Sequence, residues 1–343
     1  MHHPVQSHRQ RAMLVIGALL LCAVASLLFA GMTGSIAVPL AEMPDALRQL
    51  AQGAGSGGGS LAASLLELRA SRALTAFVTG GALALAGVMM QALLRNPLAD
   101  PYVLGISAGA SVGALLALLL MASAIVVDMA ALGGAVAVSM LLYLLARRDL
   151  RSGLAAEGGT SMLLLTGVIL SSACMALVTL MLSIAPEGRL RSMIFWMIGD
   201  LAGAPLRLAP WLVLGAALLY ALRSARAMNV VALHAEAAAT LGIRVGSLRK
   251  GLFFVSGVLT ASAVTSAGSV GFVGLIVPHA CRFAFGPDHR VLIPAAVLTG
   301  GSFLVLCDTL ARTIIAPQQL PVGAITAIIG APVFLYQLHR LRR

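Results

Sequence analysis

Three aspartates lie in or beside apolar segments, where an ionised side chain is costly and usually has a role. They are Asp128, Asp200 and Asp308, and membrane carboxylates of this kind would suit proton or cation relays. All three fall near the ends of their apolar segments. Asp308 stands four residues before Arg312, a spacing that predicts a local ion pair on one helix. With no relay in mid-segment, the pattern counts against an ion-coupled secondary transporter.

Motifs for nucleotide binding and for zinc-dependent hydrolysis do not occur in the sequence. Lys250 is the only lysine and is followed by Gly-Leu, so a phosphate-binding G-x-x-x-x-G-K-[ST] loop cannot occur. H-E-x-x-H is absent as well. The four cysteines lie in or beside apolar segments without C-x-x-C spacing, which favours small buried side chains over a metal site or disulfide. The chain is therefore not expected to be an enzyme, and no metal site is predicted.

Composition indicates an integral membrane protein. Of 343 residues, 59% are hydrophobic and 10% are charged, whereas soluble domains average about 25% charged. The net charge of +11 could suggest nucleic-acid binding. The arginines instead cluster at the ends of apolar segments, as the positive-inside rule requires of a membrane protein. We expect an all-α polytopic fold and no nucleic-acid partner.

The apolar segments divide into ten predicted spans, forming one transmembrane domain over residues 1–343. The spans are 12–31, 71–94, 103–121, 125–146, 160–185, 208–222, 252–267, 272–285, 291–311 and 322–338. An amphipathic helix is expected at 39–51 and a short re-entrant or interfacial helix at 193–201. Residues 53–60 form a Gly/Ser-rich external loop. Small residues at alternate positions from Gly105 to Gly113 favour tight helix packing over a wide path.

Charge distribution orients this arrangement. With both termini inside, the inner side carries 16 of the 23 basic and 5 of the 12 acidic residues, and the outer side carries 7 of each. The whole net charge therefore lies on the cytoplasmic face, as the positive-inside rule requires.

The largest predicted inner loop, at residues 229–250, is a less apolar stretch between two apolar segments. It is Ala-rich, lacks proline and is predicted as a short helix that ends at Gly242, a C′ glycine. It contains the pattern E-A-A-x-x-x-G, formed by Glu236, Ala237, Ala238 and Gly242. From these residues alone, an amphipathic helix lying on the membrane explains the loop as well as a docking element does.

Longer motifs identify a family resemblance. They are GVMMQALLRNPLADP at 87–101, LGISAGA at 104–110, GFVGLIVPH at 271–279, GPDHR at 286–290 and LPVGAITAIIGAP at 320–332. In this order they resemble the FecCD (BtuC-like) family, the permeases of type II ABC importers for iron–siderophore, haem and vitamin B12. The resemblance extends from about residue 68 to the C-terminus, and the ten-helix fold it implies agrees with the span count.

The resemblance implies roles for particular residues. Glu236, Ala237, Ala238 and Gly242 match the helix that contacts the ATPase. Arg69, Arg72 and Arg312 match outer-face arginines that receive glutamates of a substrate-binding protein, although arginines at helix ends also snorkel to the interface. Asn96, Leu98, Thr160 and Ser161 match the inner gate, and Thr160 would equally suit an N-cap.

The resulting expectation is the permease of an ATP-driven importer for a bulky metal chelate in the bacterial inner membrane. The resemblance implies a homodimer, two ATPase subunits and a periplasmic binding protein, with ATP and Mg²⁺ on the ATPase and no cofactor on this chain. A secondary transporter and a membrane receptor without transport are the alternatives. The residues do not distinguish siderophore, haem and cobalamin.

Overall fold

The computed structural model describes residues 4–52, 59–151, 157–233 and 235–341, and in these ranges the fold is all-α. The helices are α1 (Pro4–Met32), α2 (Met43–Ala51), α3 (Leu61–Leu94), α4 (Ile106–Leu119), α5 (Ala124–Arg151), α6 (Glu157–Ile184), α7 (Glu187–Ile198), α8 (Leu208–Leu233), α9 (Ala235–Thr240), α10 (Val245–Ala267), α11 (Val273–Phe285), α12 (His289–Thr313) and α13 (Val322–Leu341). Short 3₁₀ turns at Leu40–Glu42 and Pro101–Leu104 precede α2 and α4.

Ten of these helices coincide one for one with the ten predicted spans. Seven are long and apolar enough to cross a membrane by themselves, namely α1, α3, α5, α6, α8, α10 and α12. The other three, α4, α11 and α13, contain shorter apolar stretches. The described residues thus confirm an all-α polytopic fold. The short helices explain why a length criterion alone finds seven spans.

Helix α3 is the centre of the bundle. Nearly all of its apolar stretch is buried, whereas α1 and α6 expose most of theirs. It packs against α1, α2, α8, α10, α11 and α12. Because lipid tails are as apolar as leucine, burying α3 in a membrane requires close packing rather than hydrophobic segregation. The large exposed apolar surface on α1 and α6 is consistent with contact to lipid or to other subunits.

Glycines allow this close packing at two helix pairs. A Cβ added to Gly80 of α3 would overlap the carbonyl oxygen of Gly300 on α12. Between α4 and α5, a Cβ at Gly113 would overlap the carbonyl oxygen of Ala130, and one at Gly109 would lie 2.5 Å from that of Gly134. The small residues at the start of α4 therefore serve tight packing against a neighbour, as predicted.

Several predicted helix ends were wrong, because apolar periodicity marks the hydrocarbon-embedded part of a helix and not its full hydrogen-bonded length. Helix α3 begins ten residues before the predicted span, at Leu61, where the Ser60 hydroxyl caps it by accepting from the Ala63 N–H at 3.3 Å. The helix predicted at 193–201 instead runs over Glu187–Ile198. The amphipathic helix predicted at 39–51 begins at Met43.

The inner loop predicted at residues 229–250 is shorter than expected. Helix α8 does not end at residue 222 but continues to Leu233, and α10 begins at Val245. Only the eleven residues 234–244 therefore separate the two long helices. The basic residues Arg223 and Arg226 belong to the end of α8, which extends beyond the apolar stretch that defined the span.

Candidate functional site

A buried ion-pair network joins α3 to α12. The Arg72 guanidinium donates from Nε and Nη2 to the Asp308 carboxylate at 2.8–3.0 Å, and from Nη1 to Gln319 Oε1 at 2.7 Å. The side chain of Arg72 is 11% exposed and that of Asp308 is 1% exposed. Arg312 Nε lies 3.8 Å from Asp308 Oδ2, so the predicted Arg312 pair exists. The closer partner of Asp308, however, is Arg72, which the sequence did not indicate.

Arg69 and Arg312 bind backbone carbonyls at the end of α1 and just beyond it. Arg69 donates to the carbonyl oxygens of Met32 and Ile36, and Arg312 donates to that of Ala30. Both arginines are about 95% buried. Carbonyls at a helix C-terminus lack intrahelical partners and carry partial negative charge, so these contacts satisfy both sides. Together with the Asp308 network they connect α1, α3 and α12.

The arginine triad predicted for docking is therefore engaged within the chain. Arg69, Arg72 and Arg312 all bind groups of the chain itself, and none has a freely exposed guanidinium. A partner carboxylate could reach them by displacing Asp308, Gln319 or the backbone carbonyls.

At the opposite end of α3, the candidate gate residues form a tight turn. The helix ends at Arg95, which adopts a left-handed conformation with φ of 50°. The Asn96 side-chain oxygen accepts from the Leu98 N–H at 2.9 Å, which closes an Asx turn. The Asn96 side-chain oxygen thus holds the backbone of the turn. The Leu98 side chain is 42% exposed, so Leu98, rather than Asn96, presents its side chain at the surface.

Asp100 follows in the same segment and starts the turn before α4. Its carboxylate accepts from the Tyr102 N–H at 2.8 Å and caps Pro101–Leu104. Burial raises the pKa of Asp100 to about 6, although the Tyr102 N–H stabilises its ionised form. The turn at the end of α3 therefore carries a carboxyl group whose pKa is closer to neutral pH than that of an ordinary aspartate.

The remaining gate candidates cannot be compared with this turn. Thr160 and Ser161 belong to the backbone of α6, but their side chains lie outside the described part of the structure. The same applies to the side chains of Glu236 and Ala237, whose backbone lies in α9.

The short helix α9 ends as predicted. Gly242 has φ of +81°, its N–H donates to the Ala239 carbonyl at 3.0 Å, and the Ile243 N–H donates to the Ala238 carbonyl at 3.0 Å. This pair of bonds is the Schellman motif, with Gly242 at C′. Among the described residues, nothing lies within 4 Å of a Cβ built on Gly242, so the backbone conformation is what requires glycine there. Ala238 is completely buried and anchors the helix to the bundle.

A polar junction that the sequence analysis missed holds the end of α8 against the start of α12. Asn229 Nδ2 donates to Asp288 at 2.7 Å, and Asn229 Oδ1 accepts from the His289 N–H at 2.9 Å. His289 Nδ1 lies 2.7 Å from the same oxygen. Burial acts to raise the pKa of Asp288. The Arg290 N–H, the Asn229 amide and neighbouring positive charge outweigh it and bring that pKa below its ordinary value. A polar Asn at the end of an apolar helix was the available signal.

The candidate sites occupy the two ends of the bundle. From Arg72 to Leu94 is 22 residues on one helix, or about 33 Å at 1.5 Å per residue. This matches the hydrocarbon thickness of about 30 Å. The arginine cluster therefore lies at one membrane face, and the Asn96 turn lies at the other. Among the described residues no group of three or more His, Cys, Asp or Glu side chains could hold a metal ion.

Comparison with known proteins gives a consistent result. The FecCD transport family profile matches residues 18–340. The cobalamin import system permease protein BtuC of Halobacterium salinarum is 41% identical over 277 residues, covering 79% of this chain and 72% of that protein. The vitamin B12 import system permease protein BtuC of Escherichia coli O9:H4 is 38% identical over 282 residues, covering 81% and 84% respectively.

A solved structure shares the whole fold. An inward-facing conformation of a metal-chelate type ABC transporter superposes with a TM-score of 0.80 at 28% identity. The superposition covers 96% of this chain and 99% of the other. The likeness thus includes α1 and α2 as well as the motif-bearing region after residue 68.

Proposed function

The chain belongs to the FecCD transport family, and from that premise we propose that it is the permease subunit of an ABC importer for a bulky metal chelate such as vitamin B12. The observation that carries this proposal is the whole-chain likeness, in sequence to permeases of vitamin B12 import and in fold to a metal-chelate ABC transporter. The residues supply no nucleotide-binding loop. ATP hydrolysis therefore belongs to partner subunits.

Cobalamin is the favoured substrate within this class. Its support is that relatives 41% and 38% identical to this chain are permeases of cobalamin and vitamin B12 import. Iron–siderophore and haem remain the competing chelates, because the family name covers transport without fixing the cargo. The test is uptake of labelled cobalamin by cells that express the permease with its neighbouring ATPase and binding-protein genes. Uptake that persists without the ATPase gene would instead support a secondary transporter.

We propose that the arginine cluster of Arg69, Arg72 and Arg312 docks the binding protein by exchange of partners. Carboxylates of the incoming protein would compete with Asp308 and with the α1 carbonyls for the guanidinium donors. A guanidinium has five N–H donors, so it can bind an incoming carboxylate with some of them while the others still hold the first partner, and the exchange can proceed in steps. Docking through these buried arginines would then depend on how α1, α3 and α12 pack against one another.

A cysteine at Gln319 tests this docking surface without removing an arginine. Gln319 is exposed and hydrogen-bonded to Arg72. In a cysteine-free background, Gln319→Cys should form crosslinks to the binding protein, and high salt should slow their formation, because exposed charges are screened. The matched control is Leu241→Cys at the opposite end of the bundle, where the side chain is 71% exposed. Equal crosslinking at both sites would refute the docking proposal.

We propose that α9 is the element through which the ATPase moves the permease. Glu236, Ala237, Ala238 and Gly242 belong to it or end it, and Asn229 joins the adjoining end of α8 to Asp288 and His289. Movement of α9 would thereby reach α12 as well as α8. Glu236→Arg should weaken co-purification of the ATPase, while Asp45→Arg, on the outer helix α2, should leave it unchanged. Normal ATPase yield with Glu236→Arg would contradict the proposal.

For the gate, we propose that Asn96, Leu98, Thr160 and Ser161 border the inner end of the path in a homodimer. Leu98 is the better probe than Asn96, because replacing Asn96 also removes the Asx turn. Leu98→Cys and Thr160→Cys should form crosslinks across the dimer to an extent that depends on bound nucleotide. Ile169→Cys, exposed on α6 away from this turn, is the control. Crosslinking indifferent to nucleotide would remove the gate assignment.

A further inference from the structure

Two cavities adjoin between α5, α8 and α10, and the smaller one has a larger share of polar and charged side chains in its lining. One is an apolar groove of about 510 Å³, lined by side chains such as Met129, Val136, Phe254 and Val258. The other is a smaller chamber of about 170 Å³ that includes Asp128, Asp200, Arg207 and Trp196. They share Asp128, Arg207, Pro210, Thr265 and Ser266. An apolar groove that adjoins a chamber with charged side chains has the form of a binding site for an amphiphilic molecule.

The groove has the dimensions of one membrane leaflet. Along α5 it extends from Asp128 to Met140, twelve residues or about 18 Å of helix. Half of a hydrocarbon core of about 30 Å is about 15 Å. Val136 and Val258 are 52% and 55% exposed, so the groove opens on the surface of the chain. An acyl chain entering from the bilayer would cover these apolar side chains over the depth of a single leaflet.

The chamber carries charges of both signs. An ion pair between Arg207 Nη2 and Asp128 Oδ2, 2.5 Å apart, lines both the chamber and the groove. Arg207 is 38% exposed, and this contact uses only one of its five N–H donors. Asp200 accepts from the Ala202 N–H at 2.8 Å and has further acceptor capacity. The two carboxylates and one guanidinium give the chamber a net charge of −1.

We propose that this double cavity binds phosphatidylethanolamine. The unused donors of Arg207 take the phosphate, the carboxylates of Asp200 and Asp128 take the ammonium group, and one acyl chain fills the groove. A headgroup with net negative charge, such as phosphatidylglycerol, would meet the same phosphate donors but would supply no ammonium group to Asp200, and Asp128 would keep only Arg207 as its cation. The site therefore selects for a primary ammonium on the lipid.

The test is native mass spectrometry of the full chain after extraction from vesicles of equal phosphatidylethanolamine and phosphatidylglycerol. The unmodified protein should retain phosphatidylethanolamine about fivefold over phosphatidylglycerol, the ratio given by about 1 kcal/mol. Asp200→Asn keeps an acceptor for the Ala202 N–H and removes one charge, so the ratio should fall towards one. Unchanged selectivity in Asp200→Asn would overturn the headgroup assignment.

The groove is tested by filling it. Val258→Trp should abolish retained phosphatidylethanolamine, whereas Ile169→Trp, on an exposed position of α6 outside the groove, should not. Lipid retained equally by the two variants would overturn the proposal. Loss of dimer in Val258→Trp with lipid retention intact would do the same, and would assign the groove to contact between copies of this chain.

Discussion

The charge of Asp308 is predicted to be essential to stability. Its carboxylate is 1% exposed, accepts three hydrogen-bond contacts of 2.8–3.0 Å from Arg72 and lies 3.8 Å from Arg312. Asp308→Asn preserves side-chain size and an acceptor oxygen but leaves two largely buried guanidiniums without a counter-charge. Removing one partner of a buried ion pair destabilises by about 3–5 kcal/mol.

An exposed pair provides the matched control for Asp308→Asn. Asp45 and Arg48 on α2 are 3.7 Å apart, with side chains 75% and 79% exposed. Pairs of this kind contribute about 0–1 kcal/mol, so Asp45→Asn should leave stability almost unchanged. Both variants would be compared by unfolding of the purified protein in one detergent. If Asp308→Asn is no less stable than Asp45→Asn, the buried network of Arg72, Asp308 and Arg312 does not stabilise the fold.

Three further predictions concern packing, a helix end and a titrating carboxyl. Gly80→Ala should destabilise by about 1–3 kcal/mol, because its Cβ overlaps the Gly300 carbonyl; Gly215→Ala, with open space around its Cβ, should be neutral or slightly stabilising in the same unfolding assay. Gly242→Ala requires an alanine to adopt the left-handed conformation of this position, at a cost of about 1–2 kcal/mol. Amide hydrogen exchange in α9 should therefore accelerate about 5–30-fold, without a change in global stability. The pKa of Asp100 is raised from 3.8 to about 6 in the folded protein. The protonated Asp100 therefore contributes stability below about pH 4, and this contribution is lost as the pH rises through 6. Asp100→Asn keeps the acceptor for the Tyr102 N–H, so it should remove this pH dependence, measured as the thermal midpoint of unfolding.

The sequence predicted those features that depend on neighbours along the chain. Apolar runs gave the ten spans, and the need for positive φ identified Gly242 as the end of α9. Helix ends beyond the hydrocarbon region were wrong, because α8 continues past Arg226 and α3 begins at a Ser60 cap that hydropathy cannot detect.

The sequence did not predict contacts between polar groups that are distant in the chain. Asp308 was paired with Arg312 by the four-residue rule, yet its closer partner is Arg72, 236 residues away. The carbonyl acceptors of Arg69 and Arg312 have no side-chain signature at all. For the same reason the junction of Asn229 with His289, 60 residues apart, was missed. Local pattern specifies the helices, but which polar groups meet across them depends on how the bundle packs.

ATP-driven import of a bulky chelate is the central function proposed for this chain. The decisive measurement uses proteoliposomes that contain this permease and its ATPase. ATP is enclosed in their lumen, which stands in for the cytoplasm, and the binding protein is added outside. We predict accumulation of labelled cobalamin that requires both ATP and the binding protein. Accumulation driven by an ion gradient without ATP, or no accumulation of cobalamin, ferric siderophore or haem with a fully assembled and ATP-hydrolysing complex, would contradict the assignment.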